Sequence, residues 1–254
     1  PVHQFGIGGR VESEEVASLL VNIGLNAHKL QGSALNFYAK VGINPYASLT
    51  YYVSSPSGPT FNVGASVKWL DRNRFTLGES DYNVAYLNVR EEFYLSNIRL
   101  RKFYAKIGLR SDFYKMNKIM ATSVTGKYDL DVLTNNYVST FIDLNADTFD
   151  NSYFPTKGIS WKMGYEWVFT GLKKDIEKFH IANLDFKAAF SAGCFTFLPS
   201  VSARFIMGGE PSLPYLNLIG GFMPGRYLDQ QIPFVGVNYA MAMHNYLAMV
   251  RGDF

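Results

Sequence analysis

Hydrophobic and polar residues alternate with a period of two along most of the chain, the signature of half-buried β-strands. Val16–Leu25 places Ala17, Leu19, Val21, Ile23 and Leu25 on one face and Ser18, Asn22 and Gly24 on the other. Leu35–Ile43 sets Leu35, Phe37, Ala39, Val41 and Ile43 against Asn36, Tyr38, Lys40 and Gly42, and Ala47–Val53 and Phe61–Trp69 repeat the pattern. The same alternation returns around Ala85–Arg90, Phe103–Arg110, Val138–Phe149, Ile159–Phe169, Leu184–Phe190 and Val201–Met207, and again from Asn245. With the Gly-rich run Phe5–Val11 at the start, twelve strands are predicted and almost no helix. Turn chemistry at Asn44-Pro45 and Ser55–Pro59 separates the early strands, and a polar link runs from Tyr114 to about Asn136.

One stretch breaks the rhythm. Gly208–Gly236 (GGEPSLPYLNLIGGFMPGRYLDQQIPFVG) holds six Gly and four Pro residues between two alternating segments. Proline removes a ladder donor and glycine weakens a pleated run, so a loop is expected here rather than a strand. Loops this long in a compact β protein are uncommon and are usually functional or disordered. Tyr215, Leu218, Ile219, Phe222, Tyr227 and Phe234 need something to pack on, which favours a folded loop inserted into a cavity. A large surface loop packed on its own side chains is the alternative.

Composition narrows the setting. Charged residues are 18% of the chain and aromatics 16%, which suits strands that face something other than water. A net charge of +3 without a Lys/Arg block gives no support to nucleic acid as a partner. The one cysteine, Cys194, has no internal partner for a disulfide. No run approaches the ~18 apolar residues of a membrane-spanning helix, a criterion that leaves membrane barrels untouched. The chain stops in mid-strand at Arg251–Phe254, so a piece of a longer protein is expected.

Two architectures bury one face of each strand: a soluble sandwich and a membrane barrel. Large aromatics near strand ends (Trp69, Tyr165, Trp167, Phe169) match an interfacial girdle. Lys40, Lys68, Arg90, Lys102, Lys106, Asp143, Glu166, Lys187 and Arg204 on the polar faces match a wet, charged lumen. The connections also alternate short and long, so the barrel is favoured, with a soluble all-β binding protein as the alternative.

Catalytic and metal-binding patterns are missing. There is no Gly-x-Ser-x-Gly elbow, no His-Glu-x-x-His, and Gly126-Lys127 is followed by Tyr128 rather than Ser or Thr. No catalytic residue, metal or cofactor is therefore expected in this segment. Asp143, Asn145 and Asp147 share a strand face, but calcium needs about six or more oxygens, so they read as lumen wall, with Lys162 on the next strand as an ionic partner.

Three stretches together resemble the outer-membrane barrels of the surface-antigen superfamily, which assemble or secrete proteins and carry POTRA domains. Phe5–Asn26 (FGIGGRVESEEVASLLVNIGLN) is similar to that family's opening hairpin. Asp147–Gly158 (DTFDNSYFPTKG) resembles its periplasmic turn between strands eight and nine, with Asp150, Tyr153, Phe154, Pro155, Thr156, Lys157 and Gly158 as the motif. Gly208–Gly236 falls where the family places its sixth external loop, folded into the lumen with an arginine at its tip. The matching tip is Gly225-Arg226-Tyr227, in which glycine precedes the arginine instead of following it.

The resemblance implies that residues 1–254 are one partial transmembrane barrel domain, about twelve of about sixteen antiparallel strands. Within it, 208–236 is the lumen-inserted loop. It further implies that Arg226 anchors the loop on inward acidic groups, with Asp253 as a candidate, while Asp229, Gln230 and Gln231 satisfy the loop backbone. The partners implied are outer-membrane lipid, a POTRA domain and, because GGFMPGRYLDQQIPFVG looks most like the Bacteroidetes patatin-fusion branch, a covalently linked upstream patatin-like phospholipase domain. The function implied is that of a membrane anchor and a protein-translocation or assembly pore in the outer membrane of a Gram-negative bacterium.

Overall fold

The computed structural model describes residues 3–12, 16–26, 32–77, 80–101, 103–121, 134–171, 177–220, 230–234, 237 and 242–253. Strands occupy nearly all of them: β1 (Gln4–Glu12), β2 (Val16–Asn26), β3 (Ser33–Val41), β4 (Tyr46–Ser54), β5 (Thr60–Leu77), β6 (Ser80–Leu100), β7 (Phe103–Ala121), β8 (Asn135–Asp147), β9 (Gly158–Gly171), β10 (Phe179–Ala192) and β11 (Phe195–Gly208). Three short strands follow, β12 (Asn217–Ile219), β13 (Gln231–Ile232) and β14 (Ala242–His244), and then β15 (Tyr246–Asp253). A single 3-10 turn, Leu213–Tyr215, is the only helical element among the described residues.

β1 to β11 and then β15 pair in chain order as one twelve-stranded antiparallel meander. β1 and β15 are its two edges and each pairs on one side. Period-two alternation then sorts the side chains onto two faces. One face leaves Val63, Val67, Phe93, Ile107, Leu109 and Met163 exposed. The other gathers Leu70, Val84, Tyr86, Tyr114, Met116, Tyr137, Val168, Phe179, Ile181 and Ile206 into a cluster around loop residues Tyr215 and Leu218. The sandwich reading fails here, because no second sheet covers the exposed apolar face among the described residues. An apolar outside and a polar, loop-filled inside are what a bilayer demands of a barrel. The fold is an antiparallel transmembrane β-barrel wall with a long loop folded into its lumen.

Aromatics flank the apolar band. Phe103 and Trp161 meet at 5.2 Å near the β6–β7 and β8–β9 turns, whereas Tyr165, Trp167 and His180 form a stack toward the other end. β5, β6 and β7 run 18, 21 and 19 residues, well past the expected Phe61–Trp69, Ala85–Arg90 and Phe103–Arg110. The extensions of β5 and β7 and the first residues of β6 lie at the end where the long loop emerges, whereas residues 91–100 of β6 run toward the β6–β7 turn. Sequence periodicity misses them because register shifts interrupt the alternation between Arg72 and Phe75 and again between Ala85 and Tyr86.

Candidate functional site

The lumen begins with the loop that fills it. After β11 the chain turns inward, and Pro214 and Tyr215 of the 3-10 turn are buried. The Tyr215 ring sits 5.6 Å from Tyr114, 5.1 Å from Tyr137 and 5.0 Å from Phe179, all nearly edge-on, the arrangement aromatic quadrupoles favour. Arg204 of β11 donates through Nη1 to the Tyr215 carbonyl (3.0 Å) and to Asn217 Oδ1. Asn217 returns two bonds through Nδ2, to the carbonyls of Arg204 (2.9 Å) and Asn245 (2.8 Å). A charged fork and a fully buried carboxamide thus clamp the point where the loop leaves the wall.

The loop has secondary structure of its own. β12 pairs parallel to β13 and antiparallel to β14, and β14 lies against β5 on the far side of the lumen. The loop therefore bridges the wall from β11 to β5. This corrects the expectation that Gly208–Gly236 contains no strand: Leu218 and Ile219 find ladder partners in Gln231 and Ile232 because the Pro and Gly residues flank these pairs. The loop is also longer than expected, returning to the wall at Tyr246. Gln230 Nε2 donates to the Pro214 carbonyl (2.8 Å) and Gln231 Nε2 to the Gly220 carbonyl, so both amides bond to loop backbone. Gly225, Arg226, Tyr227 and Asp229 lie outside the described residues.

Below the aromatic cluster runs a belt of charge. Arg110 donates through Nε to Glu92 and through Nη1 to Glu166, each at 2.7 Å, linking β6, β7 and β9. Ser139 of β8 donates to the other oxygen of Glu166 (2.6 Å), and Arg90 meets Asp112 at 2.8 Å. Asp143 stands opposite Lys106 on β7 and Gly164 on β9, so its cationic neighbour lies on the preceding strand. Lys162 faces Asn145 and Asp185 rather than Asp143. Asp253 is held by Arg251 through two bonds of 2.6 and 2.8 Å. The sequence pattern assigns Arg90, Asp143, Glu166 and Arg204 to the lumen face, but the pairing of Arg110 with two acids and the clamp role of Asn217 leave no sequence signal.

A cavity of about 870 Å³ opens beneath the loop. Six cations (Arg90, Arg110, Lys162, Lys187, Arg204, Arg251) and five carboxylates (Asp143, Asp147, Glu166, Asp185, Asp253) line it, so its charge is nearly balanced. Tyr153 and Pro155 of the β8–β9 turn stand at its rim. That turn is rigid by construction. Asp150 Oδ1 accepts from the amides of Thr156 (2.9 Å) and Lys157 (3.2 Å), and Oδ2 from the Thr156 hydroxyl (2.5 Å). These bonds, the Thr156 hydroxyl's first, hold the Asp150 carboxyl down at about 2. Gly158 has φ +115°, and a Cβ there would meet the Thr148 carbonyl oxygen at 2.4 Å, so glycine closes the turn. Tyr153 and Phe154 remain 88% and 83% exposed. Among the described residues no three His, Cys, Asp or Glu side chains assemble to hold a metal.

The family model of the OMP85 superfamily matches residues 34–252, from β3 to the last strand. The chain belongs to the OMP85 superfamily. This is an outer-membrane barrel family, and the resemblance carried by the turn and loop motifs agrees with it. Among solved structures, the chain is similar to BamA from Haemophilus ducreyi lacking POTRA domains 1-3, with a TM-score of 0.68 and 13% identity over 87% of this chain. The match covers 44% of that BamA chain, so the sequence spans less than half of its length. No curated protein matches the chain.

Proposed function

We propose that this OMP85 wall is the membrane part of a protein-translocation or assembly barrel in a Gram-negative outer membrane, with residues 1–254 as one partial barrel domain. The observation that carries the reading is the loop bridge: Tyr215 and Leu218 packed in the inner-wall cluster, clamped by Arg204 and Asn217. A plug held by a few polar contacts over a wet cavity suits a lumen that must be closed at rest. In this reading Arg226, at the tip, forks onto inward carboxylates such as Asp143 or Asp253, since a guanidinium pairs bidentately with a carboxylate. Asp253 would exchange its Arg251 partner to do so. POTRA domains and membrane lipid are the partners that go with this reading.

The finer proposal is an upstream patatin-like lipid hydrolase fused to the barrel, favoured by the loop sequence GGFMPGRYLDQQIPFVG. The barrel would then anchor or export the enzyme. One experiment addresses both layers. The native protein is extracted in detergent, its intact mass and peptides are determined, and outer-membrane protein levels are compared in cells expressing the wild type or a deletion of 208–236. A mass of roughly 80 to 90 kDa with a Gly-x-Ser-x-Gly peptide supports the fusion. Unchanged levels of every other outer-membrane and surface protein, with the deleted barrel still inserted, would sink the translocation reading.

A further inference from the structure

The β6–β7 hairpin ends in a basic tip, at the same end of the barrel as the β8–β9 turn. Its sequence there reads Arg99-Leu100-Arg101-Lys102-Phe103. Leu100 and Phe103 are register partners, so the chain reverses between them, and Arg101 takes φ +57° there. Asn97, where the register shifts between Leu95 and Ile98, takes φ +58°. Among the described residues these are the non-glycine positions with positive φ, and both fall in this tip. Glycine and asparagine are at home in the left-handed region, whereas a long side chain is strained. An arginine held at such a position points to a use for its guanidinium. Arg99 lies on the opposite face from Leu100, yet its guanidinium turns back to the tip, where Nε donates to the Arg101 carbonyl (3.4 Å). Both arginines are exposed, and among the described residues neither forms an ion pair. Asp147, at the end of neighbouring β8, lines the large cavity and accepts from the Phe149 amide, while both oxygens of Asp150 are taken by Thr156 and Lys157.

We infer that this tip binds the anionic headgroup of a phospholipid in the membrane leaflet at that end. The tip continues the lipid-facing wall: Leu100 and Phe103 are exposed on its outer side, and the Phe103 ring meets Trp161 at 5.2 Å. Aromatic rings on a barrel wall sit at headgroup level. Arg101 lies just beyond Phe103, so the guanidinium groups reach the phosphate layer while Leu100 and Phe103 meet acyl chains. A guanidinium fork matches two phosphate oxygens. Two such forks at one tip favour a headgroup of net negative charge over a zwitterionic one, whose ammonium they repel. An acidic protein segment would suit the arginines alone, but the apolar side chains beside them fit a lipid. The site needs only the barrel wall and is independent of what the barrel transports.

The test is native mass spectrometry of the detergent-extracted protein, titrated with phosphatidylglycerol in one arm and phosphatidylcholine in the other. Wild-type protein takes up phosphatidylglycerol in preference. Arg101→Asn places a residue suited to positive φ in the turn, so heat stability holds or rises. Its preference for phosphatidylglycerol nevertheless falls about fivefold, the effect of one arginine at a membrane surface. Arg99→Gln lowers the preference by a similar factor, and the double variant removes it. Lys157→Gln, which deletes an exposed cation on the β8–β9 turn at the same end, leaves it unchanged. Equal uptake of the two lipids by the wild type overturns the inference and leaves the tip to an acidic protein partner. A preference that survives the double variant, or that Lys157→Gln lowers as much as Arg101→Asn does, overturns it as well.

Discussion

Asp150 shows how one carboxylate organises ten residues of turn. Its bonds favour the ionised form, so the folded carboxyl titrates at about 2 rather than near 4. A depressed folded value means the contribution is complete above the unfolded pKa and is lost as pH falls through the folded one. The Thr156 and Lys157 amides are therefore expected to stay protected from hydrogen exchange between pH 7 and about 4, and to lose protection only toward pH 2. Asp150→Ala removes that protection at every pH, and Asp150→Asn restores part of it. Tyr215 gives a second residue-scale prediction. Its ring is buried among three others, but its hydroxyl is buried with no hydrogen-bond partner among the described residues. Tyr215→Phe should leave the heat-denaturation temperature unchanged or raise it, since an unsatisfied buried hydroxyl is a cost. Tyr215→Ala should weaken loop docking by about 3–5 kcal/mol, the usual loss for a buried aromatic. The Asp150 turn was legible through the resemblance of Asp147–Gly158 to the family's turn, and the bonds that hold it join residues close in sequence. The Tyr215 packing was not, because Tyr114, Tyr137 and Phe179 come from three separate strands.

At the scale of elements, the loop and the wall stabilise each other through few contacts. Arg204 and Asn217 fix the stem, β12 ties to β13 and β14, and β14 reaches β5. Limited proteolysis of the folded barrel in detergent should spare the loop in the wild type. Arg204→Ala should open the stem to cleavage. Arg226→Ala should open it as well if the tip anchors as proposed, and an unchanged digest for Arg226→Ala would remove the tip from the anchoring scheme. Strand identity was legible from alternation, which is set by the pleat of a single strand. The extra length of β5 to β7 was not, because bulges shift the period and the added residues gain partners only across the sheet.

For the whole molecule, the decisive property is that its two faces meet different solvents. Leu109 lies on the apolar face and is 53% exposed, whereas Ser48 lines the inner cavity. Leu109→Lys should cost about 2–4 kcal/mol of barrel stability near the membrane midplane, while Ser48→Lys should cost far less. Unfolding titrations of both variants in phospholipid vesicles check this ordering, and equal losses would contradict the assigned faces. The two edge strands, β1 and β15, carry the glycines Gly6, Gly8 and Gly9 at one side and the Arg251–Asp253 pair at the other.

The sequence by itself determined the twelve strands, their polar and apolar faces and the existence of a Pro- and Gly-rich insertion before the last strand. Each of these follows from local chemistry: a period of two, turn residues, and proline or glycine where a ladder cannot form. Only the tertiary structure decided that the insertion bridges β11 to β5 and that Arg110 joins Glu92 and Glu166. Those properties depend on which strands curve toward one another. Glu92 of β6 meets Arg110 of β7 as its register partner, and Glu166 of β9 reaches the same guanidinium across β8.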